Sequence, residues 1–494
     1  MNKILKLTTT SILLTGMSFT QPLLAKDTVE RADNLKQEVA QFLTKKFSFT
    51  VQHRINRGKP LPEETLVFPI KKIKDQPGII LDAFRESFLK HVDKSSKEVV
   101  NITSAIDVYL PNRLSRGIGH LPTIFMITKL NSDGSANSKL FMPEKKREMK
   151  HSYRDDSEKA TVYWKGLNGT VSFSKDFESV TTQLNFLGIT LNTEKGSSFS
   201  WSASTLNGTF NRNLTPENME WSLPELKVNY AGKVINLIGM LGKLKLVEIK
   251  NGLKIGNLDF KIQQANFKDE TTESKFDNLS FKLNSELKDN VINIAIQEQI
   301  ENLLLPGKET PINYAANVNI NNIDAKTIYE IQETMRTLRT VEDDHAKLSI
   351  LLGKLIQVVP QFLARSPEIV VTNFNLTTPK GNVKANASIN IDGKKALALT
   401  PSILLSSIGT EINFTEISKH LVKRALMDKA LHDLSAEKSA DVEKLATANS
   451  AAALKKYIAE NWLVDLDDKN FKLAIQFKDS KLLVNGKEKE FSLF

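Results

Sequence analysis

Ser435 and Lys438 stand three positions apart, the spacing at which a lysine activates a serine nucleophile. The companion motifs of that chemistry are absent, and both residue types are common in this chain, so the pair by itself indicates no reaction. The sequence also lacks HExxH, GxxxxGKS/T, GxSxG and the Rossmann glycine fingerprint. We therefore assign no catalytic residue and no cofactor-binding residue.

Two short stretches carry side chains of the kind that bind metals. The stretch EDDH ends at His345, and HSYRDD starts at His151. Carboxylates and imidazoles are good ligands for divalent cations, but a site needs them to converge in a pocket. Both stretches are polar and expected to be solvated, and no two histidines stand at i and i+4 on a predicted helix. The sequence therefore predicts no metal site.

The composition is that of a folded protein with a mild basic excess. The 494 residues are 40% hydrophobic and 25% charged, and the formal net charge is +10. Such a charge favours anionic lipid or glycan surfaces as well as nucleic acid, and it also keeps a protein soluble. The densest basic run, residues 143–154, includes two glutamates, and we interpret it as a solvated loop. We expect no nucleic-acid partner.

The N-terminus has the order of a secretory signal. Lys3 and Lys6 precede an apolar stretch from Leu5 to Phe19, and Ala25 offers a cleavage position. The Thr-rich core is short for a membrane span, so cleavage is favoured over an inner-membrane anchor. No other stretch approaches that length, so we expect a soluble mature chain. The chain has no cysteine, and an exported protein without disulfides suggests the periplasm of a Gram-negative bacterium.

Apolar spacing predicts two helices and then a long series of strands. Residues 28–47 and 77–92 have helical spacing, and a strand runs between them from Phe47 to Ile55 with His53 on its apolar face. From about residue 100 to 320 the period is two, which indicates antiparallel strands with one apolar side. A shift of that period at Gly256 predicts a β-bulge. Two clear cases are Val100–Leu110, interrupted only by Ser104, and Ile312–Ile320.

The phrase Leu-Asn-Gly-Thr occurs twice, 39 residues apart. Asn-Gly is favoured in type I′ hairpin turns because both residues accept positive φ. The phrase therefore predicts turns at Asn168–Gly169 and at Asn207–Gly208. Another Asn-Gly pair, Asn485–Gly486, predicts a hairpin near the C-terminus, after the alternating strand that contains Phe471 and Ile475.

Helical patterns dominate after residue 321. Asp324 is a predicted N-cap, and a second helix is expected from about Asp344 to Pro360. A strand pair around 383–391 follows. Asn413 and Glu416 have the spacing of a capping box, which predicts that the next helix starts there. The Ala- and Lys-rich stretch 440–460 is either a surface helix or a mobile arm.

Several stretches resemble the YdgA-like family of bacterial envelope proteins, a family of unknown function. They are RINRG (54–58), IYEIQETMRTLRT (328–340), the run 355–393 and KLLVNGKE (481–488). The resemblance covers most of the chain and implies an envelope location, but it transfers no active site. Members of that family start with an inner-membrane anchor, from which this chain departs. The predicted architecture of the chain is also similar to that of AsmA-like proteins, whose curved sheets are thought to carry lipid. This analogy concerns the fold alone.

We therefore predict a mainly β protein with helical insertions (α+β) and a long antiparallel sheet, curved or elongated. The predicted organisation is a signal peptide (1–25), a β-rich region with two amphipathic helices (26–320) and a helical block with C-terminal strands (321–494), the last two forming one YdgA-like unit. The leading hypothesis is a non-enzymatic envelope protein that binds a lipid or another apolar ligand and contacts the membrane peripherally. The alternatives are a scaffold for envelope proteins, which would use the 440–460 helix, and a hydrolase assembled from distant residues.

Overall fold

A computed structural model describes residues 48–490, except 58, 61–63, 70–72, 74–75, 92–99, 110–120, 154–155, 250–251, 307–309, 339–342, 397–402, 404–405 and 435–441. The residues that the structure describes are mostly β, with 58% of them in strands. The predicted signal segment and the predicted helix at 28–47 lie outside the described residues, as do Ser435 and Lys438. The helices are α1 (Ile79–Leu89), α2 (Ala325–Leu338), α3 (Asp344–Ala364), α4 (Lys419–Leu434) and α5 (Val442–Ala459).

The chain divides into two compact units. The first comprises residues 1–245 and 262–272, and the second comprises 246–261 and 273–494. The strands of the first part of the chain are β1 (Ser48–Arg57), β2 (Lys59–Pro60), β3 (Glu64–Pro69), β4 (Val100–Tyr109), β5 (Ile124–Leu130), β6 (Ala136–Met142), β7 (Lys145–Tyr153), β8 (Asp156–Trp164), β9 (Leu167–Phe173), β10 (Ser179–Phe186), β11 (Ile189–Thr193), β12 (Ser198–Trp201), β13 (Ser204–Asn211) and β14 (Pro216–Tyr230). They are followed by β15 (Lys233–Glu248) and β16 (Lys254–Lys268), which contribute residues to both units.

The remaining strands belong to the second unit. They are β17 (Glu273–Lys288), β18 (Val291–Leu304), β19 (Ile312–Asp324), β20 (Glu368–Thr378), β21 (Gly381–Ile391), β22 (Ile408–Ser418), β23 (Val464–Asp465), β24 (Asn470–Lys478), β25 (Lys481–Val484) and β26 (Lys487–Lys489). From β17 to β22 each strand pairs antiparallel with the next one along the chain, and β24 then pairs with both β22 and β25. The unit therefore has an antiparallel sheet in which most paired strands are also consecutive along the chain.

In the first unit, helix α1 covers the apolar side of the sheet. Phe84 and Phe88 of α1 are almost fully buried and stack with ring centroids 5.5 Å apart. They pack among Val51, Ile102 and Leu130 of the strands, which have at most 1% of their surface exposed. The helical stripe and the one-sided strand predicted from the sequence are confirmed, and together they form a closed core.

The two Leu-Asn-Gly-Thr phrases do not form turns, so that prediction was wrong. Both lie inside strands, with Gly169 of β9 opposite Leu184 of β10 and Gly208 of β13 opposite Thr182. A Cβ on Gly169 would meet the carbonyl oxygen of Gln183 and the Leu184 side chain. These glycines therefore allow the neighbouring strands to approach closely, which is a known role of glycine in the interior of a strand.

The Asn-Gly turn near the C-terminus is confirmed. Asn485 and Gly486 have φ of +46° and +76°, and they join β25 to β26 as a two-residue turn. Two consecutive residues with positive φ are the signature of a type I′ turn. Asp289 and Asn290 make the same kind of connection between β17 and β18, with φ of +51° and +63°.

Two further local predictions were wrong. Asn413 and Glu416 lie in strand β22, and the helix begins only at Lys419. Ile412 and Phe414 pair with strands on both sides, so tertiary pairing overrides the capping-box spacing. The basic run at 143–154 is also not a loop, since residues 145–153 form β7 and pair with β8, although the side chains of 145–148 are exposed.

Asp324 caps helix α2 as predicted. Its carboxylate accepts hydrogen bonds from the backbone amide (2.9 Å) and the hydroxyl (3.1 Å) of Thr327. It also pairs with Arg365, which directly follows helix α3, at 3.1 Å. One carboxylate therefore fixes the start of α2 and the end of α3, so that the two helices leave and return to the same end of the sheet.

Candidate functional site: an apolar surface of the second unit

The second unit has a sheet face that is apolar across many neighbouring strands. Strand registers place one row of side chains on the same face from β17 to β25. The row consists of Leu283, Ile296, Val318, Val371, Ala387, Ile412, Ile475 and Val484. A second row, two residues along each strand, contains Ile294, Ile320, Ile369 and Ile389. Bulges in several ladders shift the register without turning either row to the opposite face.

The opposite face of the same sheet is rich in amide side chains. Because side chains alternate along a strand, the residues between the apolar ones point the other way. They include Asn317, Asn319, Asn321, Ser388, Asn390, Glu411, Asn413 and Gln476. The sheet is therefore amphipathic.

The apolar face keeps much of its accessible surface. Ile369 and Ile389 face each other across β20 and β21, and 43% of each side chain is exposed. Most other members of the two rows are half-buried, whereas Val484 at one end is fully buried. Neighbours within one sheet shield each other only sideways, so half-burial is what an apolar face retains when no layer packs tightly above it. In the first unit, by contrast, α1 buries the equivalent side chains almost completely.

One ionisable pair lies on this apolar face. The Tyr314 hydroxyl donates a hydrogen bond to Glu298 Oε2 at 3.4 Å, and the tyrosine ring packs edge-on against Phe374. Partial burial raises the pKa of the Glu298 carboxyl above its usual range, while the bond from Tyr314 lowers it. Burial and the nearby carboxylate also raise the pKa of Tyr314. Partial burial on this face therefore favours the neutral form of the Glu298 carboxyl.

Helices α2 and α3 form a hairpin at the end of this face. Ile328 of α2 and Phe362 of α3 pack on a small core of Leu253, Ile292 and Ile323. Ile294 and Ile320 of the apolar rows pack against the same core. Lys354 of α3 also pairs with Glu330 of α2 at 2.6 Å. The apolar surface of the sheet thus continues without a break into the base of the hairpin.

The outward surface of α3 is apolar as well. Leu348, Leu352 and Ile356 lie four positions apart on one side, and they are 55%, 50% and 70% exposed. The exposed positions between and beside them are uncharged and include Ser349, Gly353, Gln357 and Pro360. A surface helix normally presents its polar side to water. Here the arrangement is reversed, since the charged Lys354 is directed toward α2 and only 23% of its side chain is exposed.

By length and composition, the segment His345–Ala364 could cross a membrane. An 18-residue stretch within it has a mean hydropathy of 1.3, and only 11% of that stretch is buried within the protein. The prediction that no stretch beyond the N-terminus approaches a membrane-span length was therefore wrong. Lys347 and Lys354 interrupt the apolar run in the sequence, which hides its length, although these side chains occupy one side of the helix only.

A polar depression of about 320 Å³ lies near the other end of β18 and β19. Its lining includes Glu301, Asn302, Asn313 and Asn375. Both carboxylate oxygens of Glu301 already accept hydrogen bonds, from Asn278 at 2.6 Å and from a neighbouring glutamine at 2.8 Å. The side chains of this depression thus satisfy one another, and we assign no chemistry to it.

The metal-compatible stretches have other roles or lie outside the described side chains. Asp343 is the N-cap of α3, and its carboxylate accepts a hydrogen bond from the backbone amide of His345 at 3.0 Å. The side chains of 151–158 lie outside the described set. Among the residues that the structure describes, no group of three or more His, Asp or Glu side chains is placed to hold a metal ion.

The chain matches one protein family by sequence. Residues 189–490 match the family described as "Bacterial protein of unknown function (DUF945)". The chain belongs to this family. The match to DUF945 starts at β11 and includes the whole amphipathic sheet and both helical hairpins, so the candidate surface lies entirely inside it. The resemblance to a bacterial family of unknown function is confirmed at that level. No curated protein and no solved structure matches the chain.

Proposed function

We propose that this chain is a non-enzymatic protein of the bacterial envelope that holds the acyl chains of a lipid against the apolar sheet face of the second unit. The supporting observation is the row of eight apolar residues that crosses the sheet and remains half-exposed over most of its length. Exposed apolar surfaces of this extent are rare on soluble proteins and usually mark binding sites. An acyl chain is the simplest occupant for such a face because it is long, flexible and needs no polar partner.

The face suits an acyl chain energetically. Each methylene group removed from water contributes about 0.8 kcal/mol, so a chain of ordinary length supplies substantial affinity without a specific polar contact. Ile369 and Ile389 offer the most exposed surface, at 43% each. Glu298, on the same face of the sheet, is a half-buried carboxyl with a raised pKa, and an apolar occupant above it fits that tendency toward the neutral form.

The envelope location rests on the N-terminal segment. Its two lysines, apolar core and Ala25 favour export and cleavage, and they support a location of the body of the protein in the periplasm of a Gram-negative bacterium. Lipids are abundant on both sides of that compartment. A fusion of the N-terminal 30 residues to a reporter active only after export tests this location, and a reporter that stays in the cytoplasm contradicts it.

The lipid proposal is tested by purifying the full chain and measuring bound lipid by native mass spectrometry and solvent extraction. We expect co-purifying lipid, and we expect Ile389→Glu to reduce its amount because the charge would lie on the apolar face. The matched control is Asn386→Glu in the same strand, which adds the same charge to the opposite face beside Lys384. Thermal unfolding of both variants checks that the fold is retained. A lipid-free protein, or equal loss in both variants, contradicts the proposal.

A second candidate function is protein interaction through helix α5. This helix is not a free arm in the described part, since Ala446 is fully buried against Ala430 and Leu434 of α4. Its outer surface nevertheless exposes Leu445 and Tyr457, at 46% and 39%. In-cell cross-linking of Leu445→Gln/Tyr457→Gln against the unmodified chain tests this role, and an unchanged set of cross-linked partners counts against it.

A further inference from the structure

We propose that helix α3 docks on an anionic lipid bilayer and lies in its interface, where it brings the apolar sheet face to the membrane surface. This inference rests on the proposed function and names the source of its ligand. It is carried by the outward surface of α3, whose exposed positions are uncharged and include Leu348, Leu352 and Ile356.

The chemistry of α3 fits a bilayer better than a protein groove. An 18-residue stretch of the helix has a mean hydropathy of 1.3, high enough for a membrane-spanning helix, although only 11% of that stretch is buried. The other side of the same helix is fixed to the protein, because Val358 is buried and Lys354 pairs with Glu330. A helix held along one side can place only its free side in lipid. It therefore lies in the plane of the interface and does not span the bilayer.

The charge of the protein favours an anionic surface. Between His345 and Arg365 the sequence has three Lys or Arg residues and no acidic one. Two carboxylates that face the helix, Asp324 and Glu330, already pair with Arg365 and Lys354. The chain that remains after cleavage at Ala25 has 65 Lys or Arg and 57 Asp or Glu residues, a formal net charge of +8. Basic proteins are attracted to anionic leaflets, and an apolar helix face then supplies the contact that holds them there.

The position of α3 connects the membrane to the candidate site. Phe362 near its C-terminal end packs on the same core as Ile294 and Ile320, which begin the apolar rows of the sheet. An acyl chain leaving the bilayer beside α3 would thus meet apolar side chains continuously up to Ile369 and Ile389. A second copy of the chain as occupant of α3 would not explain this continuity with the sheet face.

The absence of cysteine makes a direct test practical. Ile356→Cys in the full chain is labelled with an environment-sensitive dye and mixed with vesicles of phosphatidylcholine and about 30% phosphatidylglycerol. We expect a blue shift, an intensity increase of about threefold or more, and quenching by lipids that carry a quencher in the acyl region. Leu445→Cys on α5 is the matched control, exposed to 46%, and its emission should not change.

Loss variants complete the test. Leu352→Gln/Ile356→Gln should lower the fraction of protein that floats with these vesicles at least about tenfold relative to the α5 control Leu445→Gln/Ile458→Gln. An unchanged dye spectrum at position 356, equal loss in both double variants, or self-association that buries the dye without vesicles overturns the inference. The sheet variant Ile389→Glu separates the two proposals. If Ile389→Glu still docks on vesicles but has lost its co-purifying lipid, both the lipid-binding proposal and the docking proposal are supported. If the unmodified chain carries lipid but does not dock, only the docking proposal is contradicted.

Discussion

The side chain of Asn485, in the last hairpin turn, is hydrogen bonded to the backbone of Asn461, just beyond the end of helix α5. Asn485 Nδ2 donates to the carbonyl oxygens of Asn461 (2.6 Å) and Trp462 (3.2 Å), and its Oδ1 accepts from the Ala474 amide (2.7 Å). In return, Asn461 Nδ2 donates to the carbonyl of Val484 at 3.1 Å. The turn thus fixes the end of α5 to strand β24.

Replacing Asn485 should therefore cost more than an ordinary turn substitution. Asn485→Ala loses three side-chain hydrogen bonds and places a Cβ residue without polar compensation at φ of +46°, so we expect a loss of about 2–4 kcal/mol in the free energy of unfolding. Asn485→Gly removes the same hydrogen bonds but tolerates the backbone angle, and it should cost less. Urea denaturation measures both. Equal stability of the alanine variant and the unmodified protein contradicts the role of this side chain.

Asp324 should be the more important partner of the Asp324–Arg365 pair. Asp324→Ala removes the cap of α2 as well as the ion pair, and we expect a cost of about 2–3 kcal/mol. Arg365→Gln removes only the ion pair, and 45% of the arginine side chain is exposed, so its cost should stay below about 1 kcal/mol. Hydrogen exchange of the first turn of α2 distinguishes the two. The same protection in both variants would show that the cap contributes little.

Glu298 should make stability depend on pH. Burial raises its folded pKa above the unfolded value, so the folded state binds the proton more readily. Stability from this group is therefore present at low pH and is lost as pH rises through the interval between the unfolded and folded values. Glu298→Gln should accordingly be more stable than the unmodified chain at neutral pH, and this advantage should disappear below the unfolded value of about 4.3. Chemical denaturation across that range measures the difference. An advantage that is constant with pH would rule out titration as its cause.

Two glycine-to-alanine substitutions should change the free energy of unfolding in opposite directions. Gly169→Ala forces a Cβ toward the Gln183 carbonyl and Leu184, and we expect it to destabilise by about 1–3 kcal/mol. Gly353 lies within α3, and a Cβ at this position would meet nothing within 4 Å. Gly353→Ala should therefore stabilise by about 0.5–1 kcal/mol through helix propensity. Thermal unfolding of the two variants compares them directly. Destabilisation by Gly353→Ala would mean that the outward side of α3 is already occupied.

Periodicity in the sequence predicted the strands well because each strand has one apolar face. The alternation around Ile312–Ile320 and 383–391 corresponds to β19 and β21, and the helical stripe of Phe84 and Phe88 corresponds to α1. Local spacing failed where tertiary pairing decided the outcome. Asn413 and Glu416 match a helix cap, but strand neighbours on both sides keep them in β22. The turns predicted at the two Leu-Asn-Gly-Thr phrases were wrong for the same reason, since both phrases pair within strands.

The candidate surface was only partly accessible to sequence analysis. Alternation predicted apolar strand faces, but a period of two is the same whether a face is covered or exposed. The outward face of α3 was missed because Lys347 and Lys354 interrupt its apolar run. The exposure of the residues from 348 to 356 depends on which side of the helix packs against α2.

The sequence by itself determined the β-rich class, the one-sided strands, the Asp324 cap and the Asn485–Gly486 turn. Each depends on backbone preference or on side-chain alternation within a few residues. Only the tertiary structure decided that α1 closes the apolar face of the first unit while the face around Ile369 and Ile389 stays half-exposed. Whether a sheet face is covered depends on which segment of the chain packs on it. That packing is determined by contacts between residues far apart in the sequence, which local patterns do not contain.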